Sequence, residues 1–295
     1  MDQIAQLLVN GISVGSIIAL SGIGLTLTYG ILRLSNFAHG DYMTLGAYLT
    51  LLFDSLLAAA WGQQGVNVWL AMGLSILVSI GFALLWETLL WAPMRAKRAT
   101  STTLVILSIG LALFLRNGIM LIWGASNQRY RLPVPEALSW GSIRLPFYNL
   151  VVISMAILAM VGLHLLLRYT KIGKAMRAVA DDIDLARVTG INVERVVLWT
   201  WVLAGGLTAL GGSMLGLVET LTPNMGWFLV LPLFAAVILG GIGNPYGAIT
   251  GAFLIGIAQE VSTIVIPVSY KSGVALVMMM LVLLVRPQGL FRGTL

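Results

Sequence analysis

The sequence predicts an all-α membrane protein, a polytopic helical bundle of eight or nine spans. Composition, the spacing of apolar runs and the glycine content predict it. Apolar residues fill 59% of the 295 positions and charged residues only 9%, for a mean hydropathy of +0.96. Water-soluble domains are about a quarter charged, and no soluble fold of this size could hide so much apolar surface. Apolar runs near the roughly 20 residues that cross a bilayer core recur from one end to the other. The 33 glycines suit membrane helices, which use small residues for close approach. Cysteine is absent, which excludes disulfides and thiolate metal sites. The net charge of +6 belongs to span ends, which fits membrane loops better than a nucleic-acid surface.

Taken in order, span one covers about Leu7–Leu32 and carries Gly11-xxx-Gly15. It lacks a basic leader and a small-residue cleavage site, so it is expected to be a permanent span rather than a signal. Arg33, Asn36, His39 and Asp41 then interrupt the apolar run before span two, about Tyr42–Trp61. Span three is about Val68–Trp91, followed by the basic turn MRAKRATS, and span four is about Thr102–Trp123. A polar loop, Gly124–Phe147, contains Pro133 and Pro135, which stop either neighbouring helix from continuing. Span five is about Asn149–Leu167, span six about Val196–Leu217 and span seven about Trp227–Leu239. LGGIGNPYG is a second glycine-rich break. Span eight, about Ala248–Ile266, and span nine, about Gly273–Val285, close the chain before Arg286-Pro287. Spans this short or glycine-broken leave eight as the alternative count.

Counted over alternate sides, twelve Lys and Arg fall on one side and four on the other, with Arg116 inside span four. The positive-inside rule puts the twelve in the cytoplasm, the N-terminus outside and the C-terminus inside. GAYL at Gly46–Leu49 and GAFL at Gly251–Leu254 each follow one of the two breaks. Corresponding broken segments in two halves point towards a transport site.

One long stretch differs from the rest. Arg168–Val196 holds six of the seventeen basic residues and four of the eleven acids. Met176, Val179 or Ala180, and Ile183 recur at helical spacing, an apolar stripe in need of a covering surface. Asp181 is the expected N-cap of a second short helix, with Asp182 and Asp184 in its first turn, where acids oppose the positive helix end. Gly190 suits the left-handed position past its end, and Asn192 can cap the next span. A plain solvated linker is the alternative.

These residues carry a resemblance. LTYGILRLSNFAHGDYMTLGAY, GKAMRAVADDIDLARVTGIN, LGGIGNPYGAITGAFLIG and the closing LLVRPQGLF, in that order, resemble the permease subunits of bacterial ATP-binding-cassette importers of the branched-chain amino acid type. The resemblance implies a type II importer-like permease with broken helices, one transmembrane domain over 1–295 in a bacterial inner membrane. It implies as partners a second homologous permease, two cytoplasmic ATPases, a periplasmic binding protein, an amino acid substrate and membrane lipid, and no nucleic acid. It also implies an ATPase-coupling segment within the 168–196 loop, through Gly173, Lys174, Met176, Arg177, Ala178, Asp181, Asp182, Ile183, Arg187 and Gly190. Met176, Ile183 and Leu185 would supply the buried contact with the ATPase, and the charges would set its register. No G-x-x-x-x-G-K-[ST] occurs, so ATP and Mg belong to partner subunits and this chain binds no cofactor and is no enzyme.

Asn36, His39, Gly40 and Asp41 at the first break, Gly240, Gly241 and Gly243 at the second, and Glu260 in span eight are the pathway candidates. The first group serves equally as helix caps, the simpler account. Arg116 either faces the bundle or, more simply, snorkels outward. Glu87 could pair with a neighbouring helix, and Glu260 with Arg116. His164 is read as hydrogen-bonded packing and not as a metal ligand. Gly212-xxx-Gly216 and Gly247-xxx-Gly251 permit close backbone contact. A urea importer's permease shares the motifs and is the alternative. A self-sufficient secondary transporter would need paired intramembrane carboxylates, for which only Glu260 and Asp41 qualify. No H-E-x-x-H or G-x-S-x-G supports an enzyme.

Overall fold

The computed structural model describes residues 2–61, 67–133, 137–140 and 143–291; Pro135 and Arg292 lie outside them. Helix α1 runs over Asp2–Leu32, α2 over His39–Trp61 and α3 over Asn67–Trp86. A widened π turn, Glu87–Trp91, joins α3 to α4 (Ala92–Ala96). Its cause is Pro93, which has no N–H for the carbonyl of Leu89, while the Ala92 N–H reaches back to Glu87. Helix α5 (Ser101–Trp123) starts on a Thr100 cap. The polar loop beyond it contains a small antiparallel hairpin, β1 (Leu138–Trp140) with β2 (Ile143–Leu145), where the sequence reads only as irregular. Helices α6 (Phe147–Tyr169), α7 (Lys171–Asp181), α8 (Ile183–Val188), α9 (Val193–Val218), α10 (Met225–Gly240), α11 (Pro245–Val261) and α12 (Lys271–Val285) complete the described chain.

Eight helical segments among the described residues are long and apolar enough to cross a membrane. Span seven of the sequence reading is α10. Its 16 residues rise only about 24 Å, short of a core of about 30 Å. By length and apolarity the described residues thus hold eight candidate spans and one short helix.

Helices α1 and α9 form the buried centre, with α11 and α2 packed on them and α12 at the rim. Lipid tails give little hydrophobic drive for helix association, so close packing has to supply it. The small residues do this. Gly11 and Gly15 of α1 meet the backbone of Ile257 and Phe253 on α11, and a methyl at Gly11 would sit 2.7 Å from the Ile257 Cα. Gly212 rests on the Met43 carbonyl, Gly216 on the Tyr130 ring, and Gly251 on Ala236. Of the three glycine pairs singled out in the sequence, Gly11/Gly15 and Gly247/Gly251 lie at helix crossings, while Gly212 meets α2 and Gly216 packs on the loop residue Tyr130.

The two interruptions prove to be linked. After α1 the chain reverses at Arg33, whose φ of 53° is left-handed. Residues 33–38 then climb back so that α2 begins beside the middle of α1 and α9. Helix α10 is wedged between this first break and the second. At its N-terminus Gly226 lies backbone to backbone on Gly40, and its N–H donates to Thr44 Oγ1 at 3.0 Å. At its C-terminus Gly240 lies backbone to backbone on Gly247 in the first turns of α11. Phe37 stacks on Phe234 in between, with ring centroids 4.7 Å apart. The tail finishes the job: the Leu290 and Phe291 N–H groups donate to the carbonyls of Leu239 and Gly240 at 2.8 and 3.1 Å. Those carbonyls would otherwise be unpaired at a helix end.

Candidate functional site

Three places bring the sequence-predicted residues together, and each differs from expectation in an instructive way.

The first is the buried polar core around the start of α2. Asn36 closes the turn ahead of α2 and does not cap the helix itself: its Oδ1 accepts the Ala38 N–H at 3.1 Å. His39 does something else. Its Nε2 lies 2.7 Å from the Ser21 carbonyl and 2.9 Å from Thr208 Oγ1. A carbonyl only accepts, so Nε2 carries the proton, and His39 ties α2 to both central helices. Asp41 is paired with Arg116: Nε to Oδ1 is 3.0 Å and Nη2 to Oδ2 is 3.1 Å. The guanidinium also lies 4.5 Å from the centroid of the Trp227 ring on α10. Arg116 therefore faces the bundle. The snorkelling account is corrected, and the reason is energetic: a bidentate buried partner is available, and taking it avoids an isolated charge in the apolar layer. Glu87 likewise pairs with Arg95 of its own segment, across the π turn, and not with another helix.

The second is a cavity of about 800 Å³ at the hairpin end of the bundle. The link after α9, the start of α10, and the facing ends of α11 and α12 enclose it. The Gln128–Leu221 bridge holds the 124–133 loop against the α9–α10 link, with backbone bonds of 3.0 and 2.9 Å. Arg129 Nε donates to Thr220 Oγ1 at 2.9 Å, and Tyr130 is buried with its hydroxyl on the Ala47 carbonyl at 2.9 Å. That burial raises the Tyr130 hydroxyl above its ordinary range. Glu260 lines this cavity and pairs with Lys271 at 2.6 Å, so the suggested Glu260–Arg116 pairing is corrected. Glu219 lines it too, a residue the sequence reading passed over. It keeps accessible surface towards the cavity, yet the surrounding protein desolvates it and raises its carboxyl above the usual range. Lys271 opposes that shift and Glu260 adds to it. An acid at the end of a span, level with the other outer charges, was the signal available. Pro232 interrupts α10 at this wall, leaving the Phe228 carbonyl without its helical partner, and both residues line the cavity. Gly240 and Gly241 do not line it: they form the turn that the tail packs over. Gly243, with φ of 88°, lies by Gly30 at the opposite end of α1.

The third is the charged elbow. Thr170 caps α7, accepting the Gly173 N–H at 3.0 Å, and Gly173 lies so close to the backbone of Leu166 and Leu167 that no side chain fits. The N-cap of α8 is Asp182, one residue beyond the expected Asp181; its Oδ1 accepts from Asp184 and Leu185, both at 2.9 Å. Gly190 has the expected left-handed φ of 86°, and Asn192 caps α9 through the Arg195 N–H at 2.9 Å. The apolar stripe is covered from within at Met176 and Val179 but not at Ile183. Met176 and Val179 are buried among the chain's own helices, so Met176 is corrected from a partner contact to internal packing. What projects is α8: Leu185 is 62% and Val188 85% exposed, alongside exposed Ile183, Asp184 and Arg187. Lys174, Arg177, Asp181 and Asp182 are also exposed, and Ala178 is half-buried. His164 is hydrogen-bonded packing as expected, with Nδ1 2.8 Å from the Tyr246 hydroxyl.

Residues 7–283 match the family model described as "Branched-chain amino acid transport system / permease component". The chain belongs to this permease family. The permease is 32% identical to the high-affinity branched-chain amino acid transport system permease protein BraD of Pseudomonas aeruginosa, over 97% of this chain and 94% of that one. It is 33% identical to LivH of Escherichia coli at the same coverage. The probable branched-chain amino acid transport permease protein LivH of Methanocaldococcus jannaschii is 28% identical over 97% of this chain and 91% of its own length. No solved structure gives a significant match. In the permease, Arg116 and Asp41 satisfy each other and His39 ties three helices together, while the most exposed of the predicted charges lie on the elbow.

Proposed function

We propose that this chain is the membrane-spanning subunit of an ATP-driven importer carrying branched-chain or other neutral amino acids into the cell. A second homologous permease, two ATPases that bind ATP and Mg, and a periplasmic binding protein complete the machine. The observation that carries the mechanism is α8, an exposed helix with apolar Ile183, Leu185 and Val188 between charged neighbours, on an elbow where Met176 and Val179 of α7 are already covered. It fits a docking knob for an ATPase, with Asp182, Ile183 and Arg187 retained from the expected coupling residues and Met176 serving behind it. Closure of the ATPases would then move α6 and α9 as rigid bodies, since Gly173 locks the elbow onto α6.

The charge distribution supports a cytoplasmic elbow and C-terminus and a periplasmic N-terminus. The outer cavity would be the mouth that receives substrate. Its mix of aliphatic and aromatic wall with Glu219, Arg129 and Lys271 suits an aliphatic zwitterion better than urea. Three of the carboxylates within the candidate spans, Asp41, Glu87 and Glu260, are each held by a cation, which argues against their serving in ion-gradient coupling.

Reconstitution in proteoliposomes tests the proposal. With its partner subunits and ATP, the expected result is uptake of labelled leucine against a gradient. Uphill uptake by this chain alone, driven by a proton or sodium gradient, would overturn it. Binding of urea but not leucine by the companion binding protein would overturn the substrate class.

A further inference from the structure

We infer that the elbow-end cavity between α1, α6, α7 and α11 is a binding site for one anionic phospholipid. The cavity has a volume of about 480 Å³. Two arginines line it, Arg168 from the end of α6 and Arg177 from α7, and no carboxylate does. The neighbouring cavity, across the end of α1, differs: there the cations sit among Glu87, Asp181 and Glu194. The ion pairs among the described residues use Arg95, Arg116, Arg187 and Lys271 as cations, so Arg168 and Arg177 have no described carboxylate within ion-pair distance. The nearest aromatic contact of Arg168 is its exposed chain neighbour Tyr169, at 5.5 Å.

The rest of the lining says what kind of anion fits. Asn244 spends its side-chain oxygen capping α11 through the Tyr246 and Gly247 N–H groups, and His164 is bonded to Tyr246. Anionic oxygens are thus left to the arginines, with the positive end of the 17-residue α11 beside them. Leu27, Ile31 and Leu167 form an apolar wall. His164 lies four residues before Arg168, about 6 Å deeper along α6, so the cavity reaches from the charged elbow into the apolar layer. A free phosphate has no use for that wall, and a neutral lipid has none for two unpaired arginines. A phosphodiester headgroup with its acyl chains against the wall uses both, as basic pockets between membrane helices do. Bridging Arg168 and Arg177, it would staple α7 to α6 across Thr170. The site does not depend on which solute the permease carries.

The test is native mass spectrometry of the full-length chain, purified from membranes in mild detergent with its co-assembled subunits and titrated with phosphatidylglycerol, phosphatidylcholine or inorganic phosphate. The expected result is one retained phosphatidylglycerol per chain, no comparable phosphatidylcholine binding, and at least a tenfold weaker affinity in R168A/R177A. Arg177→Gln, a change at an exposed residue, should give an intermediate loss and serves if the double variant does not fold. Unchanged phosphatidylglycerol binding in either variant would overturn the site. So would equal binding of phosphatidylcholine, or displacement by millimolar inorganic phosphate, which would make it a site for the free ion.

Discussion

Arg116 of α5 and Asp41 of α2, 75 positions apart in the chain, form a two-bond ion pair in the interior, at 3.0 and 3.1 Å. The pair fixes α5, otherwise a largely lipid-facing helix, to the re-entrant start of α2, and through Trp227 to α10. Removing one partner strands the other charge. Arg116→Ala or Asp41→Asn should therefore cost about 3–5 kcal/mol of stability. Replacing both with apolar residues of similar size should recover much of that. Unfolding in detergent, followed by tryptophan fluorescence across all three variants, checks the pattern; equal losses in single and double variants would contradict it.

The glycines at the ends of α10 should be far less tolerant than those on the lipid-facing surface. Gly240→Ala drives a methyl into the Gly247 carbonyl, and Gly226→Ala into that of Gly40. Both should reduce the yield of folded protein sharply. Gly118→Ala, with no atom within 4 Å of the added carbon, should be neutral or slightly favourable. Monodispersity in size-exclusion chromatography separates the two outcomes.

On the elbow, exposed and buried apolar residues should part company. Val188→Asp and Leu185→Asp should leave the permease folded and inserted but weaken ATPase association at least tenfold, read as co-purification of the ATPase subunits. Met176→Asp should destabilise the protein itself, because it replaces a buried apolar side chain that packs against the chain's own helices with a desolvated charge. Asp182→Ala removes the α8 cap and should cost about 1 kcal/mol locally, with an intermediate loss of association.

Glu219 gives a pH signature with a definite sign. Its carboxyl binds a proton more tightly in the folded protein than in the unfolded chain. Its contribution to stability is therefore present at low pH and falls away as pH rises from the ordinary glutamate value through the raised one. Glu219→Gln should remove this limb from a plot of melting temperature against pH and leave the variant the more stable form near neutrality. An unchanged limb would assign it to another group.

Much of this architecture was legible in the residues themselves. Span positions, the two breaks, the Asn192 cap and the left-handed Gly190 all follow from local patterns of hydropathy and backbone preference. Partnerships were harder, since they join residues far apart in sequence. Nothing local distinguishes an arginine that pairs with Asp41 from one that reaches for water. The Met176 stripe misled for the same reason: helical spacing shows that a face is apolar but not whether its cover comes from the same chain. Asp181 and Asp182 are chemically alike, and only the backbone turn decides which one caps. Glu219 carried too little contrast with its surroundings to be noticed without the cavity around it.

The mounting of α10 has a mechanical consequence. At either end main chain presses on main chain, with no flexible side chain between to absorb a slip. A tilt of α2 at one end would therefore bear on α11 at the other, with Pro232 the point at which α10 itself can bend, as a jointed prop passes load between roof and floor. A change beside the hairpin-end cavity and a change near the tail would then be two ends of one stroke.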